Sequence, residues 1–210
     1  MTGRPVAAAT AGVDPFDGLP DGSGARPGGE GRAHGRHADA RRRLFIGLMA
    51  PAPVREQIAA YRARWTWPAS AKLTPVENFH LTLAFLGQVG EVEESALRAG
   101  LAAVHFPPFE LRLHRPGRFL EADIAFVAPE PEASLAGLYG DVRQVVEGCG
   151  MAVRGDWHPH LTLARRAAAA VAPVEGAGIA WAVDAFSLVV SAGGRYEPVE
   201  GWHATPSRDP

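Results

Sequence analysis

Polar and apolar residues alternate in two short stretches that are almost identical, Phe79-His80-Leu81-Thr82-Leu83-Ala84 and Pro159-His160-Leu161-Thr162-Leu163-Ala164. Side chains on a β-strand point to opposite faces in turn, so each stretch predicts a half-buried strand with its His and Thr on one side. In the first copy Leu81, Leu83 and Phe85 are expected on the other side, in a core. In the second copy Leu161 and Leu163 take that place.

The same patterning lays out the elements around the two strands. Arg43 to Leu48 reads as a compact strand closed by the turn-prone Ala50-Pro51-Ala52-Pro53. Val54 to Trp65 reads as a helix, with Ile58, Tyr61 and Trp65 at helical spacing. Lys72 to Leu86 is predicted as one strand carrying the first motif. Glu91 to Val104 is predicted as an amphipathic helix whose first turn is acidic, where the helix dipole favours negative charge. Strands are expected at Phe109 to Leu113 and Ile124 to Ala128, a third helix at Pro131 to Glu147, and the second motif strand at His158 to Ala164. Ala182 to Ser191 and Arg195 to Val199 supply the last two strands. The order is β-α-β-α-β-β-α-β-β-β, with both motif strands following a helix. It implies an α+β fold built by internal duplication: two lobes facing one another, each an antiparallel sheet backed by helices.

Residues 1 to 42 contain nine Gly and four Pro and almost no large apolar side chain. Such a segment buries too little surface to offset the entropy of ordering, so a disordered tail is expected there and a two-lobed domain over 43 to 205. The net charge of −2 and pI near 6.4 exclude a strongly basic nucleic-acid coat, so any RNA contact must be a local patch or an RNA end. Only one of the basic residues is a lysine, Lys72. The lone Cys149 can form no internal disulfide and is expected to be a small packed residue in a reduced, cytoplasmic setting. No run approaches a membrane span, and the Ala-dominated Val6 to Val13 makes a poor signal peptide.

The histidines give the duplication its chemistry. With 8 His and 47% hydrophobic residues in the chain, one apolar-flanked His-x-Thr arises by chance in roughly 0.06 of such sequences, and two in about one of several hundred. Two imidazoles facing each other suit acid–base work on a phosphodiester: one removes a proton from water while the other protonates the leaving oxygen. An intrinsic pKa of about 6.5 lets His fill either role near neutral pH. Thr82 and Thr162 are placed to donate hydrogen bonds to the non-bridging oxygens, and this chemistry needs no metal. A metal site is the sharpest rival, because His158 and His160 could share a strand face, but no third ligand of convincing spacing lies nearby. His105 and His114 lack a following Thr and are read as surface or packing residues, and His203, in the terminal Trp202-His203 pair, is read as doing no chemistry.

Four segments together resemble the two-histidine phosphoesterase family, and within it the bacterial RNA 2′,3′-cyclic phosphodiesterases, or 2′-5′ RNA ligase-like proteins. They are Arg43-Leu44-Phe45-Ile46-Gly47-Leu48, Asn78-Phe79-His80-Leu81-Thr82-Leu83-Ala84-Phe85-Leu86-Gly87, His158-Pro159-His160-Leu161-Thr162-Leu163-Ala164-Arg165 and Arg195-Tyr196-Glu197-Pro198. The resemblance implies a central cleft lined by both motifs, where an RNA 2′,3′-cyclic phosphate end is opened to a 2′-phosphate. It assigns His160 as general base and His80 as general acid, with Thr82, Thr162 and Arg165 holding the phosphate. Strict alternation along the strand aims Arg165 away from His160. The resemblance implies no cofactor, no metal and no membrane; the expected partner is an RNA end or related nucleotide, the expected state a monomer. Two other readings stand beside it: a module that binds nucleotides or RNA ends without turnover, and a phosphodiesterase for 2′-5′ oligonucleotides or small cyclic phosphates. The chain departs from the family in the shortness of Ser191-Ala192-Gly193-Gly194-Arg195, which bears on one wall of the cleft.

Overall fold

The computed structural model describes residues 41 to 205 apart from Arg154. The expected tail lies outside the described residues except for its last two positions, and there the boundary moves. Arg42 opens the first strand because it pairs with Val89 and forms an ion pair with Glu94.

The elements run in the order β1 (Arg42–Met49), α1 (Ala52–Ala63), β2 (Lys72–Leu73), a 3₁₀ turn (Val76–Asn78), β3 (His80–Val89), α2 (Glu91–Leu101), β4 (Phe109–Phe119), β5 (Ile124–Pro129), α3 (Ala133–Gly148), β6 (Leu161–Arg165), β7 (Ile179–Val183), β8 (Ala185–Ala192) and β9 (Arg195–His203). They form two antiparallel sheets, β3-β1-β8-β9 and β2-β6-β5-β4-β7. The α+β class and the paired sheets are as the sequence predicts.

Three strands differ from the expectation. The stretch from Lys72 to Leu86 is two strands, because Pro75 starts a 3₁₀ turn that carries the chain from one sheet to the other. The stretch from Ala182 to Ser191 breaks at Asp184, so Ile179, Trp181 and Val183 bury in the second sheet while Phe186 and Leu188 bury in the first. Strand β4 runs on through Pro116 and Gly117 to Phe119. Its partner β7 ends its pairing at Leu113, so the missing N–H of Pro116 faces an unpaired edge.

The helices cross between the sheets. Helix α1 leaves β1 of the first sheet yet packs on β7 of the second, while α3, which joins two strands of the second, packs on β3 of the first. One continuous core results, with Ile46, Leu48, Phe79, Leu81, Leu111, Leu138, Val142, Leu161 and Trp181 all in a single cluster. Helix α2 packs on α3 and is tied to the first sheet by charge. The nearly buried Glu94 carboxylate bridges Arg42 and Arg98, and Arg98 reaches on to Glu200 of β9. Burial alone would raise the Glu94 pKa, but hydrogen bonds and charge from both guanidiniums outweigh it and hold the carboxyl below its ordinary value.

Candidate active site

Both motif strands turn their His-x-Thr face away from the main core. His80 and Thr82 are part-exposed while Leu81 and Leu83 are buried; Thr162 is part-exposed while Leu161 and Leu163 are buried. His160 stands one residue before β6 rather than within it. The strands are neighbours in space although they belong to different sheets, because β3 is the edge of the first and lies beside β6 of the second. The lead-in to β3 adds a second tie: β2 pairs with β6 at Lys72↔Arg165 and Leu73↔Ala164, and the Thr74 N–H donates to the Leu163 carbonyl at 3.0 Å. Arg62 pins the same segment from below, donating to the Thr74 carbonyl and lying 5.0 Å over the Phe79 ring. Burial pulls its pKa below the ordinary value, though a guanidinium stays charged.

The two imidazoles are held alike. The Nδ1–H of His80 donates to the Asn78 carbonyl, and that of His160 to the His158 carbonyl, both at 2.7 Å. A carbonyl can only accept, so Nδ1 carries the hydrogen in each neutral ring and Nε2 carries the lone pair. The Nε2 of His80 is 3.1 Å from the Thr82 hydroxyl. Each ring is also flanked by two aromatic side chains, Phe45 at 4.8 Å and Tyr196 at 5.0 Å around His80, Phe119 at 4.9 Å and Phe126 at 5.4 Å around His160.

A bulge at the same place in each motif corrects the strict alternation expected above. In β6 the register steps from Phe126↔Thr162 to Ala125↔Ala164, leaving Leu163 as the extra residue. Arg165 therefore returns to the face of Thr162, with no curling of its side chain needed. In β3 the step from Gly47↔Thr82 to Ile46↔Ala84 leaves out Leu83, and Phe85 falls opposite Phe45 on the motif face instead of in the core. Phe85 and Arg165 thus hold equivalent places, five residues after each histidine.

The fold agrees with what comparison with known proteins gives. The sequence profile of the 2′-5′ RNA ligase superfamily matches residues 50–195. The chain belongs to that superfamily. It is 34% identical over 171 residues to the RNA 2′,3′-cyclic phosphodiesterase of Escherichia coli K12, covering 78% of this chain and 97% of the relative. With the protein of the same name from Thermus thermophilus it shares 33% identity, over 71% of this chain and 81% of that one. Among solved structures, E. coli LigT complexed with 3′-AMP superimposes with a TM-score of 0.74 at 32% identity, over 79% of this chain and 99% of that chain.

Several residues of this superfamily member that shape the site were not singled out as functional by sequence. Asn78, nearly buried, donates from Nδ2 to the Gly194 carbonyl at 2.7 Å, so one residue orients His80 through its backbone and anchors the β8–β9 turn through its side chain. That turn is the short segment noted above: Gly193 and Gly194 both have positive φ, 57° and 76°, which closes a two-residue hairpin and brings Tyr196 beside His80. Trp157 stacks on Tyr139 of α3 at 4.0 Å and donates its indole N–H to the Thr82 carbonyl at 3.1 Å. It thereby links the loop that orients His160 to the strand that carries Thr82. Gly117 makes room for Phe126, since a Cβ there would sit 2.3 Å from the tip of that ring. Only position hinted at these roles: Asn78 and Trp157 adjoin the motifs, while the aromatic flanks come from distant strands.

Of the other histidines, His34 and His37 lie outside the described residues. His105, His114 and His203 are exposed, and His158 is exposed while its carbonyl orients His160. Among the described residues no group of three or more His, Cys, Asp or Glu is arranged to hold a metal ion. Cys149 is a free thiol packed partly against the core, and none of the described helices is long and apolar enough to cross a membrane.

Proposed function

We propose that this protein opens RNA 2′,3′-cyclic phosphate ends to 2′-phosphates, with His160 as general base and His80 as general acid. The observation that carries the reading is the matched tethering of both rings, which presents an Nε2 from each motif strand. Water attacks phosphorus as its proton passes to Nε2 of neutral His160. The bond from phosphorus to O3′ breaks as the Nε2–H of protonated His80 moves to O3′, leaving a 3′-hydroxyl and a 2′-phosphate. Thr82, Thr162 and Arg165 stabilise the charge gathering on the non-bridging oxygens. The same step with a 5′-hydroxyl in place of water gives a 2′-5′ linkage, the ligation for which the superfamily is named. The names of the E. coli and Thermus relatives support the substrate class. One chain supplies both motifs, so the reaction calls for a monomer, and the single unpaired cysteine fits a cytoplasmic setting.

The test is an oligoribonucleotide ending in a 2′,3′-cyclic phosphate, incubated with the protein in the presence of chelator, with the terminal phosphate identified. Formation of a 2′-phosphate is expected, and His80→Ala and His160→Ala should each lower kcat by about 10²–10⁴. Saturable binding without product refutes the enzymatic reading. Activity that is lost on chelation and restored by a divalent ion refutes the two-histidine mechanism.

A further inference from the structure

Resting on that reading of the cleft, we infer that Lys72 is a second phosphate contact, engaging the phosphate on the 5′ side of the terminal nucleotide. Lys72 lies directly opposite Arg165 in the antiparallel pair of β2 and β6. Directly opposed residues share a face and stand about 5 Å apart at Cβ, so the two basic side chains lie side by side. The bulge at Leu163 turns that shared face toward Thr162, so the two cations continue the motif surface rather than the outer one.

The placement is fixed by more than a two-residue ladder. The chain on either side of Lys72 is held by the Ala71 N–H on the Pro68 carbonyl at 2.9 Å, and by both backbone groups of Thr74, whose N–H donates to Leu163 and whose carbonyl accepts from Arg62. Lys72 is exposed and forms no ion pair with a described carboxylate, in a chain where Arg41, Arg42, Arg64, Arg98, Arg112 and Arg143 all do.

Order along the strand says which phosphate it meets. Passing from His160 through Thr162 to Arg165 moves steadily away from the histidine, and Lys72 stands beside the far end of that row, one strand further out. The reacting phosphate belongs at the histidine end. A flexible ammonium beyond Arg165 reaches the next phosphate of the strand, recognised as a point charge. The ligand class is therefore a nucleotide end that carries a 5′-phosphate or phosphodiester, in preference to a bare nucleoside cyclic phosphate.

Equilibrium binding tests this without relying on turnover. A nucleoside 2′-phosphate, the same compound with a 5′-phosphate, and a dinucleotide ending in a 2′-phosphate are titrated into wild type, Lys72→Gln and Lys72→Arg at several salt concentrations. Wild type should bind the two longer ligands about 3- to 10-fold more tightly than the first, with a salt slope steeper by about 0.7. Lys72→Gln should lose both differences and Lys72→Arg should keep them. A wild type indifferent to the added phosphate, or a Lys72→Gln protein that retains the preference, overturns the inference. A Lys72→Gln protein weakened equally for all three ligands does so too, by placing Lys72 on the terminal phosphate. Absence of cyclic phosphate turnover would instead count against the activity proposed above.

Discussion

Gly117→Ala should disable the site through a ring that never touches substrate chemistry. The added methyl would meet three atoms of Phe126 at 2.3, 2.6 and 3.1 Å. Carbon atoms prefer about 3.5–4.0 Å, so the ring must retreat by roughly 1 Å. Phe119 stands 4.3 Å from it on one side and His160 5.4 Å on another, so any retreat disturbs the packing around the imidazole. Overpacking of this kind costs about 1–3 kcal/mol, and the part-exposed position of Phe126 puts this case toward the low end. For a domain of this size that is a fall in Tm of about 2–4 °C per kcal/mol. A reacting group displaced by about 1 Å loses up to 10²-fold in rate, so kcat should fall by 10- to 100-fold while the protein remains folded. Thermal denaturation and steady-state rates on a cyclic phosphate end measure both effects. Adding Phe126→Leu, which shortens the side chain that collides, should recover stability, and the double-mutant cycle should show coupling. A Gly117→Ala protein with wild-type Tm and wild-type kcat would refute the account of how His160 is held.

Trp157→Phe keeps the stack on Tyr139 but removes the donor to the Thr82 carbonyl, so it should cost about 1 kcal/mol and lower kcat several-fold with KM little changed; an unaltered kcat would remove Trp157 from the site. Asn78→Asp sets a carboxylate against the Gly194 carbonyl and should destabilise more than Asn78→Ala, which itself should cost about 1–3 kcal/mol by urea denaturation; the reverse order would mean the amide is not the anchor. Glu94→Gln should cost about 1–2 kcal/mol at neutral pH, less than a fully buried pair because Arg42 and Arg98 are 43% and 32% exposed. Because the folded pKa of Glu94 is depressed, its contribution is complete above the unfolded value near 4.3 and is lost as pH falls through the folded value. The gap between wild type and Glu94→Gln should therefore be flat at neutral pH and close in acid; a gap that widens in acid would contradict the assigned direction.

Alternation and helical spacing were enough to place the three helices, the motif strands and the face on which each His and Thr lies, because those signals are local. What the sequence hid depends on partners. A bulge is a mismatch between two strands, so nothing in Leu163-Ala164-Arg165 taken alone reveals that Arg165 rejoins Thr162. The change of sheet at Asp184 is equally silent, since both sides read as alternating strand. Pro116 and Gly117 look like the end of a strand until the unpaired edge and the Phe126 ring that accommodate them are known. Phe119 and Phe126 are ordinary apolar positions in sequence, Phe45 and Tyr196 stand out there only as members of the segments that carry the resemblance, and only the sheets bring all four to the imidazoles.

The sheet order also bears on how the chain is made. Strand β1 sits between β3 and β8, and β8 between β1 and β9, so the first sheet needs both ends of the chain while the second uses the stretch between. As the polypeptide emerges from the ribosome, β4, β5, β6 and β7 are all synthesised before β1 can meet its second neighbour. Pairing across so long a separation carries a large loop-closure cost and comes late in folding. The half of the cleft around His80 is therefore the last to be walled. A chain stopped short of β9 would carry both His-x-Thr motifs in full, yet lack the tyrosine beside the first and the turn that Asn78 anchors.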